Sequence, residues 1–218
     1  MNFDTKYLIR WGIPGWMFIF WLFLYFLFAD YSFIDEILNV NRFDKLIGIF
    51  ISLSVSGVVI GYIIHHLYFF INWIAVNRRG FDPTVKMLEG FQKPRNWGKN
   101  NKKDYFYLES VWHRELLKIE DESIREFIVD RYRYLLSTIH GLGTIVCSHF
   151  FSLVITLSLG VYKFGNISDL PLSLITFNIV QLIIAIIVLI NFSYYSGNLN
   201  YFQGYFLNKM INEKLTKD

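Results

Sequence analysis

Four long stretches of this sequence carry no Asp, Glu, Lys or Arg: Trp11 to Ala29, Leu46 to Asn77, Tyr134 to Tyr162 and Leu170 to Asn208. An α-helix rises about 1.5 Å per residue, so roughly 20 apolar residues cross the ~30 Å hydrocarbon core of a bilayer. The pattern predicts an all-α, polytopic membrane protein with four transmembrane helices, at about 11–29, 46–76, 139–163 and 170–195. The chain then divides into an N-terminal pair of spans (1–76), a middle segment (77–138), a C-terminal pair (139–195) and a tail (196–218).

The spans differ in kind. The first opens Trp11-Gly12-Ile13-Pro14-Gly15, which puts proline near a first helical turn where its missing N–H costs little. From Trp16 to Phe28 its one polar side chain is Tyr25, which predicts a lipid-facing helix at the edge of the bundle with no role beyond anchoring. The second is overlong, roughly 46 Å if fully helical, and must tilt or project from the bilayer. It contains Gly57-Val58-Val59-Ile60-Gly61, a small-xxx-small pattern that lets helix backbones approach closely, within one chain or between copies. The third carries Gly141, Thr144, Ser148, Ser152, Thr156 and Gly160 at steps of three or four, hence a small, polar stripe flanked by His149. The fourth places Asn178 and Gln181 one turn apart, with Gln181 at a depth close to that of His149.

Between the second and third spans, apolar periodicity changes character. Leu108, Val111, Trp112, Leu116 and Ile119 form one helical face, and Ile124, Phe127, Ile128, Leu135 and Ile139 another. A helical hairpin follows, with an acidic turn at Glu120-Asp121-Glu122 and a capping box at Ser123-Ile124-Arg125-Glu126. No Pro or Gly lies between Ser123 and His140, so the second helix can run straight into the third span and couple the two mechanically. Asp82-Pro83 reads as the cap and first turn of a short helix. Residues 92–104, with Pro, Gly and five basic side chains, read as a mobile basic loop. In the tail, Phe202, Phe206 and Met210 share a stripe, as in an interfacial amphipathic helix.

Composition agrees with the class. Hydrophobic residues make up 54% and charged residues only 18%, too apolar for an ordinary soluble domain. The first apolar run exceeds a signal-peptide core and lacks a small-x-small site, so it reads as a retained helix. Of 21 Lys and Arg residues, 18 fall in segments 1–10, 77–138 and 196–218, which predicts a plasma-membrane protein with both termini and the middle segment in the cytoplasm. The single cysteine, Cys147, excludes an internal disulfide. A net charge of +3 is too small to argue for nucleic acid. The two halves do not correspond residue by residue, which disfavours an inverted-repeat transporter.

The polar positions of the spans are the candidate site: Gly57, Gly61, Thr144, Ser148, His149, Ser152, Thr156, Asn178 and Gln181 either line a pore or hydrogen-bond between helices. No acidic or basic side chain lies in any span, which argues against proton-coupled transport. His65, His66 and His140 fall at one level near the cytoplasmic edge, but adjacent histidines point about 100° apart on a helix and their spacing is not that of metal ligands. Arg133 and His140 match the loose Arg-x4-6-His pattern of HEPN-type ribonucleases, a short motif that chance supplies often. Neither pattern amounts to a catalytic, cofactor or metal site, so the chain reads as a non-enzyme. Lys93, Arg95, Lys99, Lys102, Lys103, Arg125, Arg131 and Arg133 form a candidate surface for a cytoplasmic protein or phosphate-bearing ligand, or for anionic lipid. The layout resembles that of small prokaryotic membrane proteins that act as oligomeric channels or as effectors and sensors in antiviral defence. That resemblance implies a homo-oligomeric pore or effector whose cytoplasmic segment senses a signal. The alternatives are a non-conducting anchor or accessory subunit, and an enzyme acting at the membrane interface.

Overall fold

The computed structural model describes residues 5–29, 43–75 and 79–212. Among them every regular element is helical: α1 (Thr5–Ala29), α2 (Phe43–Phe69) continued by a π-helical stretch (Phe70–Ala75), α3 (Asp82–Lys86), α4 (Asn101–Leu116), α5 (Glu122–Phe164), a 3-10 turn (Ile167–Asp169) and α6 (Leu172–Asn212). Four of these, α1, α2, α5 and α6, are long and apolar enough to cross a membrane. The chain forms two compact units, residues 1–70 with 141–191 and residues 71–140 with 192–218.

The first unit is built on close backbone approach. A Cβ on Gly15 of α1 would overlap the Gly57 carbonyl of α2, and one on Gly61 would overlap the Trp11 carbonyl. Only glycine fits at those crossings. Trp16 closes the same interface, its indole donating to the Ser54 carbonyl (3.0 Å). Trp21, Tyr25, Leu170, Leu174 and Phe177 form the buried cluster of this unit. α1 therefore does not expose every face, as its composition suggests: it buries Trp21 and Tyr25 while Phe20, Phe23, Phe26 and Phe28 remain outward. Absence of polar side chains does not make a helix peripheral; shape decides, and α1 supplies Gly15 at the crossing and a buried Trp21. Pro14 also lies inside α1, which begins by Thr5. Gly165 ends α5 at φ 91°, its N–H returning to the Val161 carbonyl (2.8 Å), a left-handed stop suited to glycine.

The second unit has its own core, with Phe81, Val85, Leu108, Trp112, Ile128 and Leu207 buried. α4 packs on the N-terminal part of α5, Trp112 lying against Tyr132 at 5.2 Å between ring centres. Four local expectations change here. The cap of α5 is Asp121, whose Oδ1 accepts from the N–H groups of Ser123 (2.9 Å) and Ile124 (3.2 Å), so the cap lies two residues earlier than a Ser123 box. Asp82 does not cap α3; it lies inside the helix and pairs with Arg79 at 2.9 Å. Residues 92–104 are not a free loop, because α4 already begins at Asn101, capped by the Asn100 side chain on Lys103 N–H (3.1 Å), and Trp97 packs on Phe91 and Phe81. The tail is the end of α6: Phe202, Phe206 and Met210 pack against the core of this unit rather than forming a separate interfacial helix.

Candidate functional site: a polar seam in the first unit

The small polar stripe of α5 faces inward along its length. Thr144, Ser148, His149, Ser152 and Thr156 are fully buried, as is Gln181 on α6, and Asn178 is buried beside it. The rungs of the stripe meet all three of the other long helices, α2, α1 and α6. Thr144 Oγ1 lies 3.0 Å from His65 Nδ1 of α2. Ser148 donates to the Pro14 carbonyl of α1 (2.6 Å), using a lone pair that an i→i+4 helix bond leaves free. Deeper, the Trp21 indole N–H donates to His149 Nδ1 (2.9 Å). Gln181 donates to Ser152 Oγ (2.7 Å), which passes its own proton to the His149 carbonyl (3.0 Å). Thr156 Oγ1 lies 3.0 Å from Asn178 Oδ1 and 3.4 Å from Gln181 Oε1, while Asn178 donates to the Leu174 carbonyl (2.8 Å).

Because an indole N–H can only donate, the Trp21 bond fixes His149 as the tautomer with its proton on Nε2. That Nε2 is buried with no hydrogen-bond partner among the described residues. Every other polar side chain of the seam is satisfied, which is what an apolar surround demands: each unpaired group there costs several kcal/mol, of order 2–7. Outside the seam the same helices present apolar side chains such as Phe20, Ile51, Val59, Ile183, Ile186 and Ile190.

Gly57 and Gly61 sit at the α1–α2 crossing and are buried there. His65 bonds Thr144, His66 stacks edge-on against Tyr62 (4.4 Å), and among the described residues no three His, Cys, Asp or Glu side chains are placed to hold a metal. His140 and Arg133 both lie on α5, Arg133 exposed and His140 half-buried.

The predicted basic residues fall in the second unit in two sets. Lys93, Arg95, Lys99, Lys102 and Lys103 are exposed on the segment leading into α4 and on its first turn. Arg125 and Arg133 line a cleft of about 490 Å³ together with His113, Glu122, Glu126 and Asp130. Arg125 is tied down there, donating to the Ile119 carbonyl (3.3 Å) and lying 3.6 Å from Glu122, whereas Arg131 lies over the Tyr134 ring (5.3 Å). Sequence reasoning missed Trp21, Pro14 and His65 as partners of the stripe. Their signal was faint: an indole N–H and a proline-flanked carbonyl are the polar groups that an apolar helix still has to offer.

No family model, curated protein or solved structure matches the chain.

Proposed function

We propose that this chain is a non-conducting, four-span membrane anchor that holds a helical unit, residues 79–140 with 192–212, in the cytoplasm for a soluble partner. The observation that carries the reading is the closed seam. Ser148, Ser152, Thr156, Asn178 and Gln181 find their partners inside their own chain, and the one unpartnered polar atom of the seam among the described residues, His149 Nε2, is itself buried, so little of the stripe is left to line an aqueous path. A homo-oligomeric pore lined by the same residues would have to exchange those bonds for water. The outward faces of the long helices are apolar, as lipid requires. The concentration of Lys and Arg in segments 1–10, 77–138 and 196–218 supports the cytoplasmic assignment of the second unit and both termini.

Dye-loaded liposomes containing the purified chain test the reading. The expected leakage is that of protein-free vesicles, for the parent and for Gly57→Leu and Ser148→Leu alike. Release by the parent that either substitution abolishes would establish a pore and overturn the anchor. For orientation, a Lys99→Cys probe in a Cys147→Ser background should react with an impermeant thiol reagent only after cells are opened. Labelling of intact cells would reverse the topology.

A further inference from the structure

The outward side of α6 differs from that of its neighbours. The exposed positions of α4 and α5 in the second unit include many charges, among them Lys102, Arg114, Lys118, Glu126, Asp130 and Arg131. α6 has no Asp, Glu, Lys or Arg from Leu172 to Asn208. About 20 of its residues cross the hydrocarbon, which on the membrane reading ends near Asn191. Tyr194 then falls in the headgroup layer, where tyrosine is common. Tyr201 and Tyr205 stand about 15 and 21 Å beyond Asn191, past that layer and in water. Tyr194 and Tyr201 are nonetheless 64% and 65% exposed, and Tyr201 stacks flat on the exposed Tyr205, 6.4 Å between ring centres and 14° between planes. Between Tyr194 and Tyr201 lies Gly197, also exposed, where a Cβ would meet nothing within 4 Å. Glycine in a helix interior is destabilising relative to alanine, and no contact within the chain requires it here.

We infer that the stripe of Tyr194, Gly197, Tyr201 and Tyr205 packs against the same stripe of a second copy of the chain, the two α6 helices running parallel. At about 100° per residue these side chains fall within an arc of about 80°, and the same arc holds the exposed Ile183, Ile187 and Ile190. From Ile183 to Tyr201 the steps alternate between four residues and three, the heptad spacing of a parallel helix pair. Copies inserted with one orientation share a height in the bilayer and are related by an axis along its normal, so each stripe residue meets its own counterpart. A charged row would meet like charge there; this one brings none. Gly197 supplies the hollow that lets two backbones approach, and tyrosines with no charges are what the cores of protein interfaces favour. Lipid covers Ile183, Ile187 and Ile190 but not Tyr201 and Tyr205, and a soluble protein the reverse, whereas a second α6 covers the whole stripe in one register. Asn178 and Gln181 are buried away from this arc, so pairing leaves the seam of each copy closed. The inference rests on the membrane reading above, which sets the two copies at one height, and makes the anchor a dimer.

The test uses the full chain, carrying one amino-terminal fluorophore, in proteoliposomes of increasing lipid content. The expected result is bleaching in two steps that passes to one step on dilution. Tyr194→Lys/Tyr201→Lys should abolish the pairs by setting like charges against each other. Gly197→Leu, whose side chain meets nothing in its own chain, should weaken pairing about tenfold with helicity and flotation unchanged. In a Cys147→Ser background, oxidation should link Tyr201→Cys chains in pairs but not Phe127→Cys chains, although Phe127 is also exposed. A chain that floats with the vesicles yet bleaches in one step at every dilution overturns the dimer and leaves the anchor standing. Pairs that survive both the lysine and the leucine variants, or that link as fast through Phe127→Cys as through Tyr201→Cys, overturn this interface. A chain that does not float with the vesicles removes the membrane reading and the dimer together.

Discussion

The bond between Gln181 and Ser152 is the sharpest test of the seam, because its loss can be isolated. In Gln181→Leu the donor to Ser152 Oγ disappears, but Ser152 still gives its proton to the His149 carbonyl and Thr156 still has Asn178 at 3.0 Å. Little is orphaned, so the cost is close to that of one interhelical hydrogen bond, about 0.6–1.7 kcal/mol between membrane helices. The Leu side chain is near Gln in volume, which limits any packing penalty. A double-mutant cycle with Ser152→Ala should therefore return a coupling of about 1 kcal/mol, read from reversible unfolding in bicelles. Ser158 provides the control, since its hydroxyl faces outward and bonds only the Val154 carbonyl of its own helix (2.7 Å). Gln181→Leu with Ser158→Ala should be additive. A coupling for Gln181 and Ser152 no larger than for that control would mean that the two side chains are not partners, and the argument for a closed bundle would fall with them.

Three further outcomes are expected. Gly61→Leu drives a side chain into the Trp11 carbonyl, so the α1–α2 crossing must open and bicelle unfolding should lose about 1–3 kcal/mol or more; full stability would contradict the crossing. Arg79→Ala strands the buried Asp104 carboxylate, which keeps only the Gly98 N–H, and should cost about 3–5 kcal/mol by chemical denaturation, with Lys a poor substitute because Arg79 also lies over Phe81 (4.9 Å) and Trp97 (5.6 Å). Burial, and secondarily the Glu109 carboxylate, push the Tyr105 phenol up to about 12 and raise Tyr132 as well. The unfolded chain then releases those protons first, so stability should be level below about pH 10 and fall from there towards pH 12, as followed by Trp fluorescence across an alkaline titration. A flat profile through that window would place Tyr105 in water.

The four apolar helices are legible in the sequence because a run without charge has few other uses, and Asn178 and Gln181 announce themselves as polar groups that must be turned inward. The limits of the helices are less legible. Pro14 looks like a beginning, yet in a long apolar helix the freed backbone groups can be tolerated and the helix continues through it. The packing of α1 was hidden for a different reason. In a helix this apolar, the pattern of polar and apolar positions does not separate inside from outside, and the features that place α1 are Gly15 and the hydrogen-bonding edge of Trp21. Likewise the basic composition of residues 92–104 suggests a mobile loop, whereas one aromatic, Trp97, and one buried acid, Asp104, are enough to fasten it.

The seam also orders the making of the protein. On the anchor reading, spans enter the membrane in sequence, so when α5 arrives its Thr144, Ser148 and His149 meet partners already present on α2 and α1. Ser152 and Thr156 have no such welcome, because Gln181 and Asn178 have yet to be synthesised. A ribosome that stops before Leu172 would therefore release a three-span chain in which Ser152 and Thr156 keep only the His149 and Leu153 carbonyls of their own helix.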